Sequence, residues 1–211
     1  MRTQKAGAGR RPGVSKTRAG ILDAARKSFA AKGFTATTMR GVAASAGVDP
    51  ALVHHYFGTK EGLFRAALQV PVDAKDIVAK VVAAERADAP VQLARTLIEM
   101  CDDTATGPAM VTFLRRMLAE EATADLMRDF FSTVVIDVVA NSLLDGVNAD
   151  EARARVALIS SHLLGLVIER KVVRVEPMAS WPATALAEAV APTIERYLYG
   201  DIGTVFPTGT T

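Results

Sequence analysis

Apolar residues recur at helical spacing along nearly the whole chain, and this periodicity narrows the choice of fold more than any other feature. Short clusters of Gly, Pro, Asn and Asp separate the periodic segments, and no stretch keeps the two-residue alternation of a strand for long. Half of the 211 residues are hydrophobic, which is enough to bury a sizeable core. The pattern predicts an all-α protein.

Capping residues and helix breakers set the expected helix limits. The expected N-caps are Ser15, Asp49 and Thr59, together with Thr37 or Thr38 for the second helix. The expected helix ends are at Gly33, Gly47 and Pro71. The strand-like run 171–175 is assigned to a helix end. The predicted helices are 16–32, Thr37 or Thr38 to Ala46, 50–56, 59–68, 74–86, 91–103, 109–121, 123–145, 150–172 and 183–199.

Charge is distributed unevenly between the two ends. Residues 1–65 carry twelve Lys/Arg and three Asp/Glu, a net charge of +9, whereas the rest of the chain has a net charge of −7. We expect residues 1–15 to form a flexible basic arm, and the first third to meet a polyanion. The alternative is a solvated charged surface with a disordered tail.

A helix-turn-helix is predicted between Thr37 and Tyr56. Gly47 permits the sharp turn, Ala43 lets the two helices cross closely, and Val48, Val53 and Phe57 anchor the second helix. This spacing leaves the positions on the opposite face free to enter a major groove. They are Pro50, Ala51, His54 and His55, with Leu52 at the edge. A helical hairpin with no DNA-binding role is the alternative.

Several short motifs in this region resemble the N-terminal domain of tetracycline-repressor (TetR) type regulators. They are Gly33-Phe34, Thr37-Thr38, Val42-Ala43, Ala46-Gly47-Val48, His55-Tyr56-Phe57 and Lys60-Glu61-Gly62-Leu63-Phe64, and the match covers residues 16–68. Arg174 to Pro177 and Ala191 to Ile194 resemble the ligand-binding region of some members more weakly. The resemblance implies a DNA-binding repressor, dimeric on a palindromic operator and released by a small-molecule inducer.

The resemblance also assigns roles to individual residues. Thr38, Tyr56 and Lys60 match phosphate-contacting positions, and Arg40 matches one that reaches a base edge. Pro50, Ala51, Leu52, His54 and His55 match the contact positions of the recognition helix.

The sequence departs from the family pattern at Asp49 to Leu52, which removes hydrogen-bond donors and favours apolar contact with thymine methyls. Gly41 is unusual inside a helix, and close approach of a DNA backbone is one explanation. Each of three contact residues has an alternative role. Arg40 could be a solvated surface residue, His55 a buried packing residue, and Tyr56 a partly buried core residue. Metal binding by His54 and His55 is disfavoured because adjacent helical residues point about 100° apart.

Residues 69–200 are expected to form a helical ligand-binding and dimerisation domain, followed by a loose tail at 201–211. In the resembling family, the last two long helices form a four-helix dimer interface. The candidate interface residues are Ala157, Leu158, Ser161, Leu164, Gly165 and Ile168, with intramolecular core as the alternative. A ligand pocket is expected between the fourth helix and residues 91–145. Its candidate lining residues are Phe113, Met117, Met127, Phe130 and Phe131, for which core packing is the alternative.

Other function classes find little support in the sequence. There is no glycine-rich phosphate loop, no paired His at i, i+4 spacing and no recognisable Ser or Cys nucleophile, so we expect no enzyme, no catalytic residue, no cofactor and no metal. The single Cys101 cannot form an internal disulfide. No apolar run approaches the ~20 residues of a membrane span, and no signal peptide is recognisable, so a cytoplasmic protein is expected.

Overall fold

The computed structural model describes residues 12–203, with side chains from Lys16 onward. These residues form eleven α-helices and two π-helical segments without a strand, which confirms the all-α prediction. The chain divides after Gln69 into two compact units.

The first unit holds four helices. They are α1 (Pro12–Ala36), α2 (Met39–Ala46), α3 (Pro50–Phe57) and α4 (Lys60–Leu68). The predicted start of α1 is wrong: because α1 begins at Pro12, Ser15 lies inside it and is not its N-cap. Residues 1–11 of the predicted basic arm lie outside the described residues, whereas 12–15 are helical. α4 ends at Leu68 with Gln69 in a left-handed conformation, so the helix stops before Pro71 rather than at it.

An aromatic cluster forms the core of the first unit. Gly33 leaves helical geometry at φ 74°, as expected, and the chain turns Phe34 back onto α1. The Phe34 ring lies 6.1 Å from Phe29 and 5.2 Å from Phe64, and the Phe29 and Phe64 rings meet edge to face at 4.9 Å. All three side chains are buried, so α1 and α4 are tied together by edge-to-face aromatic packing.

The second unit contains the remaining helices. They are α5 (Ala74–Val82), α6 (Ala89–Asp102), α7 (Gly107–Ala119), α8 (Glu121–Phe130), α9 (Ile136–Leu143), α10 (Ala149–Val167) and α11 (Ala183–Tyr199). The π-helical segment Phe131–Val135 joins α8 to α9, and Ile168–Val173 continues α10. The predicted helices 123–145 and 150–172 therefore each contain a π-helical segment that the apolar spacing did not indicate. The expected helix end at 171–175 is confirmed.

The main core of the second unit lies where α6 packs along α11, with α10 against both. Ile98, Ile194 and Val156 are among its most buried members. A smaller cluster gathers Cys101, Met110, Phe113, Leu114 and Val167. Burial raises the pKa of the Cys101 thiol to about 11, which favours a packing role over a reactive one.

Two buried arginines join distant parts of this unit. Arg155 on α10 donates Nη1 to the Tyr197 carbonyl at 2.8 Å and Nη2 to the Gly200 carbonyl at 2.9 Å, both at the end of α11. Its Nε donates to Glu151, one turn earlier on α10, at 2.8 Å. The guanidinium therefore satisfies carbonyls that a helix end leaves without partners.

Arg170 makes the second long-range connection. It donates Nε and Nη2 to the Asp102 carboxylate at 3.1 and 2.7 Å, and Nη1 to the Met178 carbonyl at 2.7 Å. Lys171 also pairs with Asp102. Burial opposes the ionisation of Asp102, but its hydrogen bonds and charge interactions with Arg170 and Lys171 together outweigh that effect and lower its pKa.

Candidate nucleic-acid interface

Two capped helices and a left-handed glycine form the predicted helix-turn-helix. The Thr38 hydroxyl caps α2 by accepting from the Gly41 N–H at 3.1 Å, which selects Thr38 over Thr37 as the cap. Gly47 ends α2 at φ 66°, a conformation that a side chain would strain. Asp49 accepts from the Ala51 N–H at 2.7 Å and caps α3, with Pro50 in the first turn as expected.

Burial along α3 distinguishes its two faces. Val53 is fully buried, and Leu52, Tyr56 and Phe57 are half-buried. The exposed face carries Pro50, Ala51, His54 and His55. Exposure of His55 argues against the packing alternative, whereas half-burial of Tyr56 agrees with a partly core position. The short helix thus presents a narrow strip of side chains to solvent while Val53 holds it against the unit.

The first turn of α2 holds two further candidate residues. Arg40 is exposed in this turn, two residues after the capping residue Thr38. Because a hydroxyl can donate while it accepts, Thr38 retains a donor for a phosphate oxygen. Gly41 has a local explanation within the helix itself: a Cβ at this position would lie 3.0 Å from the Thr38 hydroxyl oxygen, so its absence makes room for the cap.

Lys60 and Tyr56 lie around the junction of α3 and α4. Thr59 caps α4 by accepting from the Gly62 N–H at 3.1 Å, so Lys60 occupies the first turn as predicted. Its ammonium donates to the Thr35 carbonyl at 3.1 Å and lies 4.4 Å from the centroid of the Phe34 ring. An ammonium group has three donors, so this contact leaves two for an anion. The sequence held no signal for the Thr35 contact, because 25 residues separate the partners.

The junction between α3 and α4 depends on close backbone packing. A Cβ at position 62 would overlap the Phe57 carbonyl oxygen, so glycine is required there for steric reasons. Gly58 adopts φ 69°, and its N–H donates to the His54 carbonyl at 2.8 Å. The Gly58 carbonyl in turn lies 3.1 Å from Nδ1 of His54. The end of α3 is therefore closed through both the backbone and a side chain.

Positive charge dominates the described part of the first unit. Residues 16–65 include eight Lys/Arg and three Asp/Glu, a net charge of +5 without the basic arm. Arg18 on α1 places its guanidinium carbon 5.3 Å from the centroid of the Phe57 ring, next to α3. The helical pattern gave no indication of this cation–π contact, which adds a positive charge beside the helix-turn-helix.

The candidate ligand-lining residues lie in two places in the second unit. Phe113, Met117 and Met127 join the small cluster around Cys101. Phe130 is buried and Phe131 half-buried where α8 passes into the π-helical segment. Packing brings three of the five candidates together, in an apolar cluster rich in sulfur-containing side chains. Such groups adapt to irregular shapes.

The candidate interface residues follow the outward side of α10. Ala157, Ser161, Leu164 and Gly165 are exposed, and Leu158 and Ile168 are half-buried. The other side of α10 carries the buried core residues. Exposure of this stripe argues against the alternative that it belongs to the intramolecular core. An open groove of about 430 Å³ beside it is lined by Ser161, His162, Gly165, Leu166, Glu169, Met178 and Val190.

The geometry defines a helix-turn-helix protein with a basic first unit and a larger all-helical second unit. Residues 21–67 match the family of bacterial regulatory proteins of the tetR family, and residues 87–198 match the tetracyclin repressor-like C-terminal domain. The chain belongs to the TetR family of DNA-binding transcription regulators. Among residues 12–203, no helix combines the length and apolar character needed to cross a membrane.

Two curated relatives match part of the chain. The chain is 46% identical over 52 residues to the HTH-type transcriptional regulator BetI of Rhizobium meliloti, covering 25% of this chain and 26% of the relative. It is 33% identical over 99 residues to BetI of Burkholderia cenocepacia, covering 46% and 51%. The matches thus span a quarter to about half of the length of these relatives.

A crystal structure of a TetR-family regulator from Streptomyces coelicolor A3 is also similar. It is 28% identical and aligns over 90% of this chain and 99% of that one, with a TM-score of 0.43.

Proposed function

We propose that this chain is a repressor that binds a palindromic operator as a homodimer and is released by a small-molecule effector. The observation that carries the proposal is the exposed strip Pro50, Ala51, His54 and His55, held by two capped helices on a strongly basic unit. A short helix with one buried anchor and a solvent-facing opposite side is suited to entering a major groove.

Phosphate contacts would set the register of the head on the duplex. Thr38 and Lys60 keep free donors, and each lies at the start of a helix, where backbone N–H groups favour an anion. Tyr56 offers a hydroxyl at the edge of α3. Arg40 is exposed and has the fork geometry that pairs with guanine N7 and O6. Together with Leu52 at the edge of the strip, these residues form the proposed DNA interface.

Dimerisation is proposed through the outward side of α10, together with α11. Exposed Ala157, Ser161 and Gly165 would allow a second helix to approach closely, and Leu164 would supply apolar contact. A Cβ at Gly165 meets nothing within 4 Å in the single chain, so nothing within the chain requires a glycine there. A partner helix packed against this side would account for it. Leu158 and Ile168 would border the contact.

The effector is proposed to bind in the second unit near Phe113, Met117 and Met127, with Phe130 and Phe131 as further candidates. The sulfur and aromatic groups of this cluster suit an apolar or aromatic ligand rather than a sugar or a phosphate. Effector binding would favour a dimer whose heads are wrongly spaced for DNA, and operator binding would favour the other state.

Selection of bound duplexes from a random pool tests the DNA-binding proposal. We expect a palindrome whose half-site centres are about 34–36 Å apart, one turn of the duplex. Arg40→Ala is expected to weaken binding by about 1–3 kcal/mol per half-site and to relax specificity at one position, and Tyr56→Phe to weaken binding to all sequences. Arg26→Ala removes the same charge from an exposed site on α1 and serves as the control. Enrichment of no duplex, or equal effects of Arg40→Ala and Arg26→Ala, would contradict the proposed reading residues.

Sedimentation equilibrium tests the dimer. The full chain is expected to be dimeric at micromolar concentration, and Gly165→Leu to dissociate it while leaving helicity unchanged. Leu118→Ala, at an exposed position of α7 outside this stripe, should stay dimeric. A dimer that Gly165→Leu does not weaken would remove this stripe from the interface.

A further inference from the structure

We propose that His54 recognises the exocyclic amino group of adenine or cytosine, using its outer ring nitrogen Nε2 as a hydrogen-bond acceptor. This inference rests on the proposed function, because it requires α3 to enter the major groove. It goes further by assigning a hydrogen-bonding polarity, and hence a class of base, to one position of the reading strip.

The contact between His54 and Gly58 determines the tautomer of the imidazole. Nδ1 lies 3.1 Å from the Gly58 carbonyl oxygen. A carbonyl oxygen only accepts, so the proton of this hydrogen bond belongs to Nδ1. A neutral imidazole has one N–H, and the other nitrogen then carries a lone pair. Nε2 is therefore an acceptor, on a side chain that is exposed to solvent.

The backbone at the end of α3 holds this arrangement in place. The Gly58 N–H donates to the carbonyl of His54 at 2.8 Å, so residues 54 and 58 are joined through both the main chain and the imidazole. Gly58 reaches this geometry at φ 69°, which glycine adopts readily. The ring is thereby oriented before any DNA binds.

The bases differ in what they present to such an acceptor. In the major groove, adenine N6 and cytosine N4 are the amino donors, whereas guanine N7 and O6 and thymine O4 only accept. A fixed acceptor on the reading strip therefore favours adenine or cytosine and is repelled by guanine N7 and O6 and by thymine O4. Ala51 and Leu52, which lie beside His54 on the reading strip, are apolar and cannot accept a hydrogen bond, and Asp49 uses its Oδ1 to cap α3.

A double-mutant cycle between protein and DNA tests the pairing. The probe is the duplex that the full chain enriches from a random pool at about pH 8.5, above the ordinary titration range of imidazole. Each adenine is replaced in turn by purine, and each cytosine by 2-pyrimidinone, which removes only the amino group. At one position per half-site this change should weaken binding of the wild-type chain about five- to tenfold, and binding of His54→Phe not at all.

His55→Phe is the matched control, because it changes the adjacent exposed ring. It is expected to keep the full penalty for loss of the amino group, even where its overall affinity is lower. Equal penalties for wild-type and His54→Phe at every position would overturn the inference while leaving the proposed function intact. Failure to enrich any duplex would instead defeat the proposed function, and this inference with it.

Nitrogen-15 NMR of the free protein tests the tautomer independently of DNA. The chain has three histidines, so the His54 ring can be assigned by comparison with His54→Phe. At about pH 8.5 the His54 ring should be protonated at Nδ1 and unprotonated at Nε2. Protonation at Nε2 would contradict the proposed acceptor.

Discussion

Replacing Arg155 by alanine should destabilise the second unit more than any surface substitution on the same helix. The side chain is buried, and it donates to Glu151 and to the carbonyls of Tyr197 and Gly200. These bonds join α10 to the end of α11. Its positive charge also lies at the carbonyl end of α11, where the helix dipole favours a cation.

The expected magnitude follows from the partners that lose their donor. A hydrogen bond from a charged group contributes about 1.5–3 kcal/mol. The Glu151 side chain is 39% exposed, so water can replace its ion pair at little cost. The two carbonyls lie at a helix end, where water reaches part of their surface. We therefore expect a loss of about 3 kcal/mol from the free energy of unfolding. For a chain of this length that corresponds to a fall of roughly 6–12 °C in Tm.

Urea unfolding followed by tryptophan fluorescence measures this loss. The single tryptophan, Trp181, lies in the segment of the chain just before α11 and therefore reports on the second unit. All variants are compared at one protein concentration, since any association would shift the transition. Arg153→Ala, exposed on the same helix, should stay within about 0.5 kcal/mol of wild type. If Arg155→Ala unfolds at the same urea concentration as Arg153→Ala, the role assigned to this arginine is wrong.

Three further outcomes are expected. Gly62→Ala should lower the free energy of unfolding of the first unit by about 1–3 kcal/mol, because the added methyl group overlaps a backbone carbonyl. Gly20→Ala, in open space on α1, should raise it by up to about 1 kcal/mol. Thermal unfolding followed by circular dichroism compares the two variants. The lowered pKa of Asp102 stabilises the fold above about pH 4, the ordinary pKa of an aspartate, and this stability is lost as the pH falls through the lower folded-state pKa. Asp102→Asn should therefore be less stable at pH 7 and should lack this acid-dependent loss. An acid profile of the variant equal to that of wild type would refute the assignment. Removing residues 1–11, which carry four Lys/Arg, should reduce the slope of log affinity against log salt by up to about 3.6 for each bound chain, and an equal slope would exclude the arm from binding.

Local signals account for most of what could be predicted. Asp49, Thr59 and Gly47 mark helix limits through hydrogen bonds and backbone conformations that span only a few residues, and all three act as expected. The exposed strip of α3 follows from the same short-range periodicity. The prediction that Ser15 caps α1 was wrong, because serine is also tolerated inside a helix and α1 begins earlier, at Pro12.

The contacts that position individual side chains could not be predicted from the sequence. Lys60 donates to a carbonyl 25 residues away, and no short-range sequence signal indicated the π-helical segments within the long helices. Half-burial of Tyr56, beside the exposed strip, depends on the angle at which α3 meets the rest of its unit. Periodicity alone could not decide that angle.

The sequence by itself determined the all-helical class, the limits of most helices and the face that α3 exposes, since these depend on interactions between residues at most about four positions apart. Only the tertiary structure decided which ionic groups are buried and what they bind. Arg155 reaches partners 42 and 45 residues away, and Arg170 reaches one 68 residues away. The sequence around a charged side chain does not show whether that side chain faces water or a helix end. This depends on which distant segments of the chain fold against it.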